Sequence, residues 1–564
     1  DSATGGNLIW DANGDAVKGT YWTDTPSNGG KWCYDGNVTA YAHWTANSYD
    51  ITVDTVGGSA VTVNNAKYST STASQTRQLS TAVPTKANFV FNSWQVEWTS
   101  EVHSSTLPTV SGQTITIPAD CYGSFKVVAV WDSAVASVTF GSDVTYYTTL
   151  ESAFAYANTL ATTSSKYATV TILVDSITVS SKIVVGADKF INLTASVSTT
   201  IARQGNPAII HNYATLNIYG TDTATVTFQG DENDQVLIYN ETEGTITLES
   251  NVTGTGGAMY NKGTLTINGA SFTNNSANYG GAFGNTGTVT INSGSMTGNS
   301  STQHGGAIYS QGGTITIIDG TFSGNTANCG GFAQAYGNLY VKGGTFDGNK
   351  ASNYAGVIDV IGNTEISGGV FTNNHADVGG GAISHTQNIS SFITITGGTF
   401  ESNSAPTAGA VIIHNGTIGG TVVFKNNTAT GNGGAVHYGK FNVNITGGTF
   451  IGNKAEGQGQ GGAIYNESTN PSTISGAVFK QNSANYGGAI FNLSSTMTIT
   501  GCEFTDNTST ENGGAILTKQ NLTISDTTFS GNNATGTVGS AIKVESGTTT
   551  ITSATITNST VGSA

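Results

Sequence analysis

The sequence predicts an all-β chain: a right-handed parallel β-helix of about 25 residues per coil, preceded by smaller β-rich modules. Two short motifs recur in register down the C-terminal half, and strictly alternating apolar and polar runs lie between them. All seven tryptophans, by contrast, lie before residue 132, which marks a change of domain.

The first motif is Gly-Gly-Ala-Ile, beginning at Gly256, Gly280, Gly305, Gly330, Gly380, Gly433, Gly461, Gly487 and Gly513, with looser copies at Ala355, Ala408 and Gly539. The second is Phe-x-x-Asn: Phe272/Asn275, Phe322/Asn325, Phe346/Asn349, Phe371/Asn374, Phe400/Asn403, Phe424/Asn427, Phe450/Asn453, Phe479/Asn482, Phe504/Asn507 and Phe529/Asn532. Met296/Asn299 stands in for one copy, and successive Phe-type positions fall 24 to 29 residues apart. A period of that size means stacked repeats that bury their apolar faces against one another.

Runs such as Thr264-Leu265-Thr266-Ile267 and Thr314-Ile315-Thr316-Ile317 have the period of a half-buried strand. Each repeat thus offers three extended pieces: Gly-Gly-Ala-Ile, Thr-Ile and Gly-Thr-Phe. Asn and Gly mark corners, where left-handed backbone is tolerated. A propeller blade needs four strands and about 40 residues, so the unit fits a β-helical coil instead. Equivalent residues then stack about 4.8 Å apart. The Phe positions become an interior aromatic column, the Ile and Val positions an aliphatic one, and the Asn positions a corner ladder of amides bonded to the coils above and below. These twenty Phe and Asn residues are expected to be architecture.

The paired motifs resemble the repeats of chlamydial polymorphic outer-membrane proteins over about residues 251–545. Those proteins are surface-exposed adhesins and autotransporters, so the resemblance implies a coil and a cell-surface setting. Residues 1–564 hold no membrane-barrel run of alternating, aromatic-girdled strands, so the resemblance is not expected to extend to the family's export route.

The expected domains are a compact module over 1–46, a second module over 47–132, a helix and irregular first coils over 133–250, and regular coils over 251–564. In the second module, Tyr49–Val53, Pro84–Trp94, Ile115–Ala119 and Val127–Trp131 read as strands around one core. Their order is similar to the Listeria–Bacteroides (internalin B-type) repeat, a small β-grasp module, with Phe91-Asn92-Ser93-Trp94 in place of its Phe-x-Gly-Trp. Asn37–Trp44 resembles the closing strand of another copy. Residues 147–161 form the one helix-like stretch, with Leu150, Phe154 and Ala157 on one face, suited to closing the first coil.

Composition narrows the function. Charged residues make up 10%, well under the usual quarter, and the net charge is −16 with Arg only at 77 and 203. No basic stripe exists to neutralise phosphates, so nucleic acid is not an expected partner. No apolar run approaches a membrane span. An initial Asp1 in place of Met leads to the expectation of cleavage from a precursor and an extracellular location. Cys329 and Cys502, about seven coils or 34 Å apart, cannot pair within one chain, whereas Cys33 and Cys121 could meet between modules. Asn-x-Ser/Thr sites, including Asn37, Asn192, Asn240, Asn251, Asn388, Asn415, Asn444, Asn466, Asn521 and Asn558, are candidates for glycosylation.

Signs of chemistry are sparse. The coils from 251 onward contain no Arg to neutralise an acidic sugar, and Asp319, Asp347, Asp359, Glu365, Asp377, Asp506 and Asp526 suggest no acid/base pair. His385, His414 and His437 sit on consecutive coils but at different offsets from the Gly-Gly element, as surface or strand-capping histidines would. No catalytic, metal or cofactor site is expected. The one candidate for Ca²⁺ is the acidic turn Asp231-Glu232-Asn233-Asp234. The leading expectation is a secreted structural protein whose Thr-rich last coil, Thr548–Ala564, pairs with another copy to build a filament, sheath or layer. The alternatives are a monomeric adhesin stalk for host surfaces or glycans, and a polysaccharide-active enzyme.

Overall fold

The computed structural model describes residues 46–203, 208–230, 236–255, 259–385, 390–536, 539, 541–559 and 561–563. The expected 1–46 module with Cys33, the acidic turn at 231–234, Asn388 and the first Gly-Gly-Ala at 256–258 lie outside them, save residue 46. The chain divides into two units, Asp1–Asp132 and Ser133–Ala564.

In the first unit, one sheet has the order β2 (Lys67–Ser69), β1 (Ser48–Asp54), β7 (Phe125–Ser133), β4 (Phe89–Trp98), with β1 and β7 parallel. A second, antiparallel sheet joins β3 (Gln75–Gln78), β6 (Thr114–Ile117) and β5 (Thr109–Ser111). Alternation in β6 and β7 points Ile115, Ile117, Phe125 and Val127 into a shared core with Ile51, Tyr68 and Leu79. The Gly57-Gly58 pair makes a tight turn under Trp131, whose indole N–H donates to Thr55 O. A Cβ on Gly58 would come within 2.4 Å of that ring, so any other residue would have to displace the indole. Cys121 is buried between Tyr68 and Ser104.

The second unit is a parallel β-solenoid of about 15 turns with roughly 25 residues per coil. Thr-Ile strands and Gly-Thr-Phe strands share one 30-stranded sheet, and the strands after each Gly-Gly-Ala form a 16-stranded one. The expectation of three strands per coil falls one short. A fourth piece of two to five residues follows each ladder Asn, as at Thr326–Ala327 and Lys350–Ala351, and builds an 11-stranded sheet. Its brevity hides it from any periodicity.

Inside, Phe272, Met296, Phe322, Phe346, Phe371, Phe400, Phe424, Phe450, Phe479, Phe504 and Phe529 stand in register. From Phe346 to Phe529, successive ring centroids are 4.5–5.0 Å apart and the planes lie within 16° of parallel. That separation exceeds stacked-carbon contact, so the rings are offset, the arrangement their quadrupoles favour. Each buried ring contributes about 1.5–3 kcal/mol from desolvation alone. At Phe332-Ala333 a large and a small residue exchange places relative to Ala307-Ile308, and Phe332 fills the space beside Phe322 at 4.7 Å.

The corner amides form a fully paired ladder. Asn349 Nδ2 donates to Asn374 Oδ1 and to Phe322 O, and its backbone N–H donates to the same Oδ1. Asn325 makes the same three bonds, to Asn349 Oδ1 twice and to Met296 O. Beyond Asn403, the Nδ2 of Asn427 donates to Asn453, that of Asn453 to Asn482, that of Asn482 to Asn507 and that of Asn507 to Asn532. Each of those four amides also donates to the carbonyl of the Phe on the preceding coil: Phe400, Phe424, Phe450 and Phe479. The pattern runs from Asn275 to Asn532, where Ser559 Oγ accepts the last backbone N–H. The residue before each ladder Asn adopts a left-handed conformation, as at Asn274, Gly298, Asn373 and Gly452.

A second ladder, absent from the expectations above, lies three residues beyond Gly-Gly-Ala. Asn212, Asn240, Asn261 and Asn285 donate in turn, each to the next, ending on Ser310 Oγ, and Asn466 and Asn492 resume it towards Thr518. Two candidate glycosylation sites, Asn240 and Asn466, are thereby buried and committed.

At the start of the solenoid, an antiparallel hairpin of β8 (Ala136–Phe140) and β9 (Asp143–Tyr147) pairs with the first parallel strand, β10 (Ala168–Ile172). The helix α1 is shorter than the 147–161 stretch and spans Leu150–Ala157. Tyr147 is held in the hairpin, Thr149 caps the helix by accepting from Ser152 N–H, and Leu150, Ala153, Phe154 and Ala157 are buried. Asn158 then ties the helix to the first coil, donating to Val184 O and accepting from Gly186 N–H. The last described rung, Thr549–Thr552, Thr555–Thr557 and Val561–Ser563, pairs with the preceding coil, and Ile551 is 39% exposed.

Candidate functional site

The ladder residues singled out in the sequence take no part in a surface site. Asn275, Asn325, Asn349, Asn374, Asn403, Asn427, Asn453, Asn482, Asn507 and Asn532 are all buried, and so are the ten Phe positions that precede them. Their amides are spent on one another and on backbone, which leaves none to meet a ligand. Any binding surface must be built from other positions of the repeat.

The strand after each Gly-Gly-Ala turns its middle residue away from the core. These outward positions align as Tyr260, Gly284, Tyr309, Gln334, Asp359, Ser384, Ile412, His437, Tyr465, Phe491, Leu517 and Lys543. Facing outward did not leave them exposed: Gln334, Asp359, Ser384 and Ile412 are all buried. The corner before Gly-Gly carries Tyr354, Val378 and Thr407, which wall one side of a groove of about 430 Å³. Asp359, Ser384, His385, Ile412, His414, His437 and Glu467 complete its lining.

The floor is polar and incompletely paired. Asp359 Oδ2 accepts from Gln334 Nε2 at 2.6 Å, while Gln334 Oε1 has no partner among the described residues. Burial pushes the Asp359 carboxyl up to about 6, and the amide bond works against the shift. His385 donates to or accepts from Ser391 Oγ through Nε2 at 2.9 Å, and its Nδ1 is unpartnered. His414 Nδ1 and His437 Nδ1 are likewise buried without a partner. Burial, with a smaller contribution from a neighbouring histidine, pushes both His385 and His414 down to about 4. His437 Nε2 lies 3.4 Å from Glu467 Oε1, and that histidine holds the glutamate below the usual carboxylate range.

The three histidines are far less exposed than open surface positions would be, and they occupy different places. His385 falls at the inward position of the second Asn ladder, His437 faces outward, and His414 lies one residue past its strand. All three nevertheless line one groove. Asp359, read as one of several scattered acids, sits on its floor. No acid/base pair results: Asp359 and the Tyr465 rung that precedes Glu467 are four rungs, about 19 Å, apart, beyond the reach of two carboxylates on one glycosidic bond. No group of three or more metal-ligating side chains exists among the described residues.

On the preceding coils, aromatic residues gather around the outward column, where Tyr309 neighbours Gln334. Tyr279 and Tyr309 have centroids 4.9 Å apart, Tyr336 stands edge-on to Tyr309 at 6.2 Å, and His304 lies 5.8 Å from Tyr279. Tyr279 and Tyr336 are nearly half exposed. Partial burial, then the neighbouring Tyr309 and Asp359, raise the Tyr336 phenol. In the C-terminal direction the column becomes apolar: Tyr465 stacks on Phe491, and both pack with Leu517.

Five stretches match the family model of the Chlamydia polymorphic membrane protein repeat: residues 293–311, 368–386, 421–438, 447–467 and 501–519. Each runs from a Phe or Met of the interior column, across a ladder Asn, to the strand on the groove floor. The matches thus fall on the unit that the geometry repeats. No curated protein and no solved structure matches the chain.

Proposed function

We propose that this chain, whose solenoid carries repeats of the Chlamydia polymorphic membrane protein type, is a cell-surface protein of the adhesin kind with a structural and binding role and no catalytic one. The observation that carries this reading is the groove, which is lined by Tyr354, three histidines and polar side chains yet places its two carboxylates, Asp359 and Glu467, beyond catalytic separation. A rod of stacked rungs is rigid along its axis because every coil is hydrogen-bonded to the next, which suits holding a binding surface away from a membrane. Antibody labelling of intact source cells tests it. Surface labelling is expected, and signal only after lysis contradicts it.

A further inference from the structure

We propose that the groove binds an uncharged, hydroxyl-rich linear chain, a neutral oligosaccharide, laid along the solenoid axis from the Tyr279/Tyr309/Tyr336 cluster across Asp359 to His414 and His437. This deepens the adhesin reading above and rests on it only for its biological setting.

Three independent observations converge. The first is the set of buried nitrogens without partners. His414 Nδ1 and His437 Nδ1 belong to residues that line the groove and keep a little exposed surface, and each would cost free energy if left unpaired in a folded protein. A hydroxyl serves as donor or acceptor, so it suits an imidazole nitrogen in either tautomer. The second is the aromatic cluster. Tyr309 precedes Gln334 in the outward column, Tyr279 and Tyr336 beside it are nearly half exposed, and the apolar face of a sugar ring stacks on such surfaces. The third is direction. The floor repeats at one strand spacing, about 4.8 Å, from Tyr309 through Gln334, Asp359, Ser384 and Ile412 to His437, so a polymer with a similar repeat meets one rung per unit.

Charge selects among polymers. None of the lining side chains is Lys or Arg, and the lining includes Asp359 and Glu467 in a chain of net charge −16. An anionic chain is repelled. A cationic chain would call for open carboxylates, whereas Asp359 is buried and bonded to Gln334, and Glu467 faces His437.

The test is calorimetric titration of purified residues 1–564 with three sets of hexasaccharides: neutral (gluco-, manno- and N-acetylated chito-oligomers), cationic (de-acetylated chito-oligomer) and anionic (oligogalacturonate). Binding of at least one neutral oligomer is expected, weakened about tenfold or more in both Tyr309→Ala and Tyr336→Ala. Tyr336 is nearly half exposed, so its variant keeps the fold, and unchanged circular dichroism and thermal midpoint verify that. Binding confined to the cationic or the anionic oligomer, no binding at all, or neutral binding unaffected by the tyrosine variants overturns the proposal. The assay uses no cells, so its failure leaves the surface-labelling result intact, and the reverse also holds.

Discussion

Phe371 and Phe400 lie on successive coils with ring centroids 4.5 Å apart and planes 4° from parallel, and both are fully buried. The sheet spacing sets that separation, and the same spacing puts Asn374 Nδ2 2.9 Å from Asn403 Oδ1 at the adjacent corner. One register therefore satisfies an apolar column and a polar ladder together. A slip of one residue would turn Phe outward and break both.

Removing one ring should be felt locally and strongly. Phe371→Ala is expected to cost about 3–5 kcal/mol through lost burial and the cavity it leaves. Val370→Ala, on the solvent face of the same strand, should stay within about 0.5 kcal/mol. Because coils couple mainly to their neighbours, hydrogen exchange of residues 346–403 is the appropriate measurement, with loss of protection centred on the substituted coil.

Truncating one amide should rival that cost despite the small volume change. In Asn374→Ala, the backbone N–H and Nδ2 of Asn349 and the carbonyl of Phe346 lose their partners inside the protein. At about 1–3 kcal/mol for each unsatisfied group, the loss should exceed several-fold that of an exposed Asn substitution such as Asn338→Ala, as read by urea midpoints.

Stability should rise with pH between about 4 and 6.5. His385 and His414 have folded-state values near 4 against 6.5 unfolded, so in that window the unfolded chain binds more protons and acid favours unfolding. Each removes on the order of 3 kcal/mol or less as the pH falls from 6.5 towards 4, and nothing above 6.5. His211 and His304 are shifted the same way. Asp359 opposes them, because its folded value near 6 makes its contribution shrink as pH rises from 4 to 6. The histidines outnumber it. The thermal midpoint should climb over this range, and His385→Asn with His414→Asn should flatten the slope.

Burial separates the candidate glycosylation sites. Asn444 is exposed on its strand, whereas Asn466 is buried and donates to Asn492. Secreted from a glycosylating host, the chain should carry glycan at Asn444 and none at Asn240 or Asn466, as peptide mass spectrometry would show.

The solenoid was readable because Phe-x-x-Asn repeats at one side-chain position per coil, and stacking turns a one-dimensional period directly into contact. The second ladder was harder to see. Its Asn at 261, 285, 466 and 492 gives way to Ser310, Ala335, Val360, His385, Ile413 and Tyr438, so no single residue type marks the column. The β8–β9 hairpin carried a signal, the alternation of Ala136–Phe140 followed by Gly141-Ser142, that the neighbouring helix pattern overshadowed. The groove was not legible. Its lining joins Tyr354, Val378 and Thr407, from the corner before Gly-Gly, to residues of the outward column, and side-chain periodicity along one strand carries no information on that meeting.

The most direct test of the register is a pair of engineered cysteines. Val370 and Thr399 are neighbouring partners on adjacent coils, and one strand spacing of about 4.8 Å lies within the Cα separation a disulfide accepts. Val370→Cys with Thr399→Cys should oxidise to an intrachain disulfide, identified by mass spectrometry. Val370→Cys with Val423→Cys, two coils apart and about 9.6 Å distant, should not. Failure of the first pair, or equal crosslinking in both, would contradict the stacked coils on which the ladders and the groove depend.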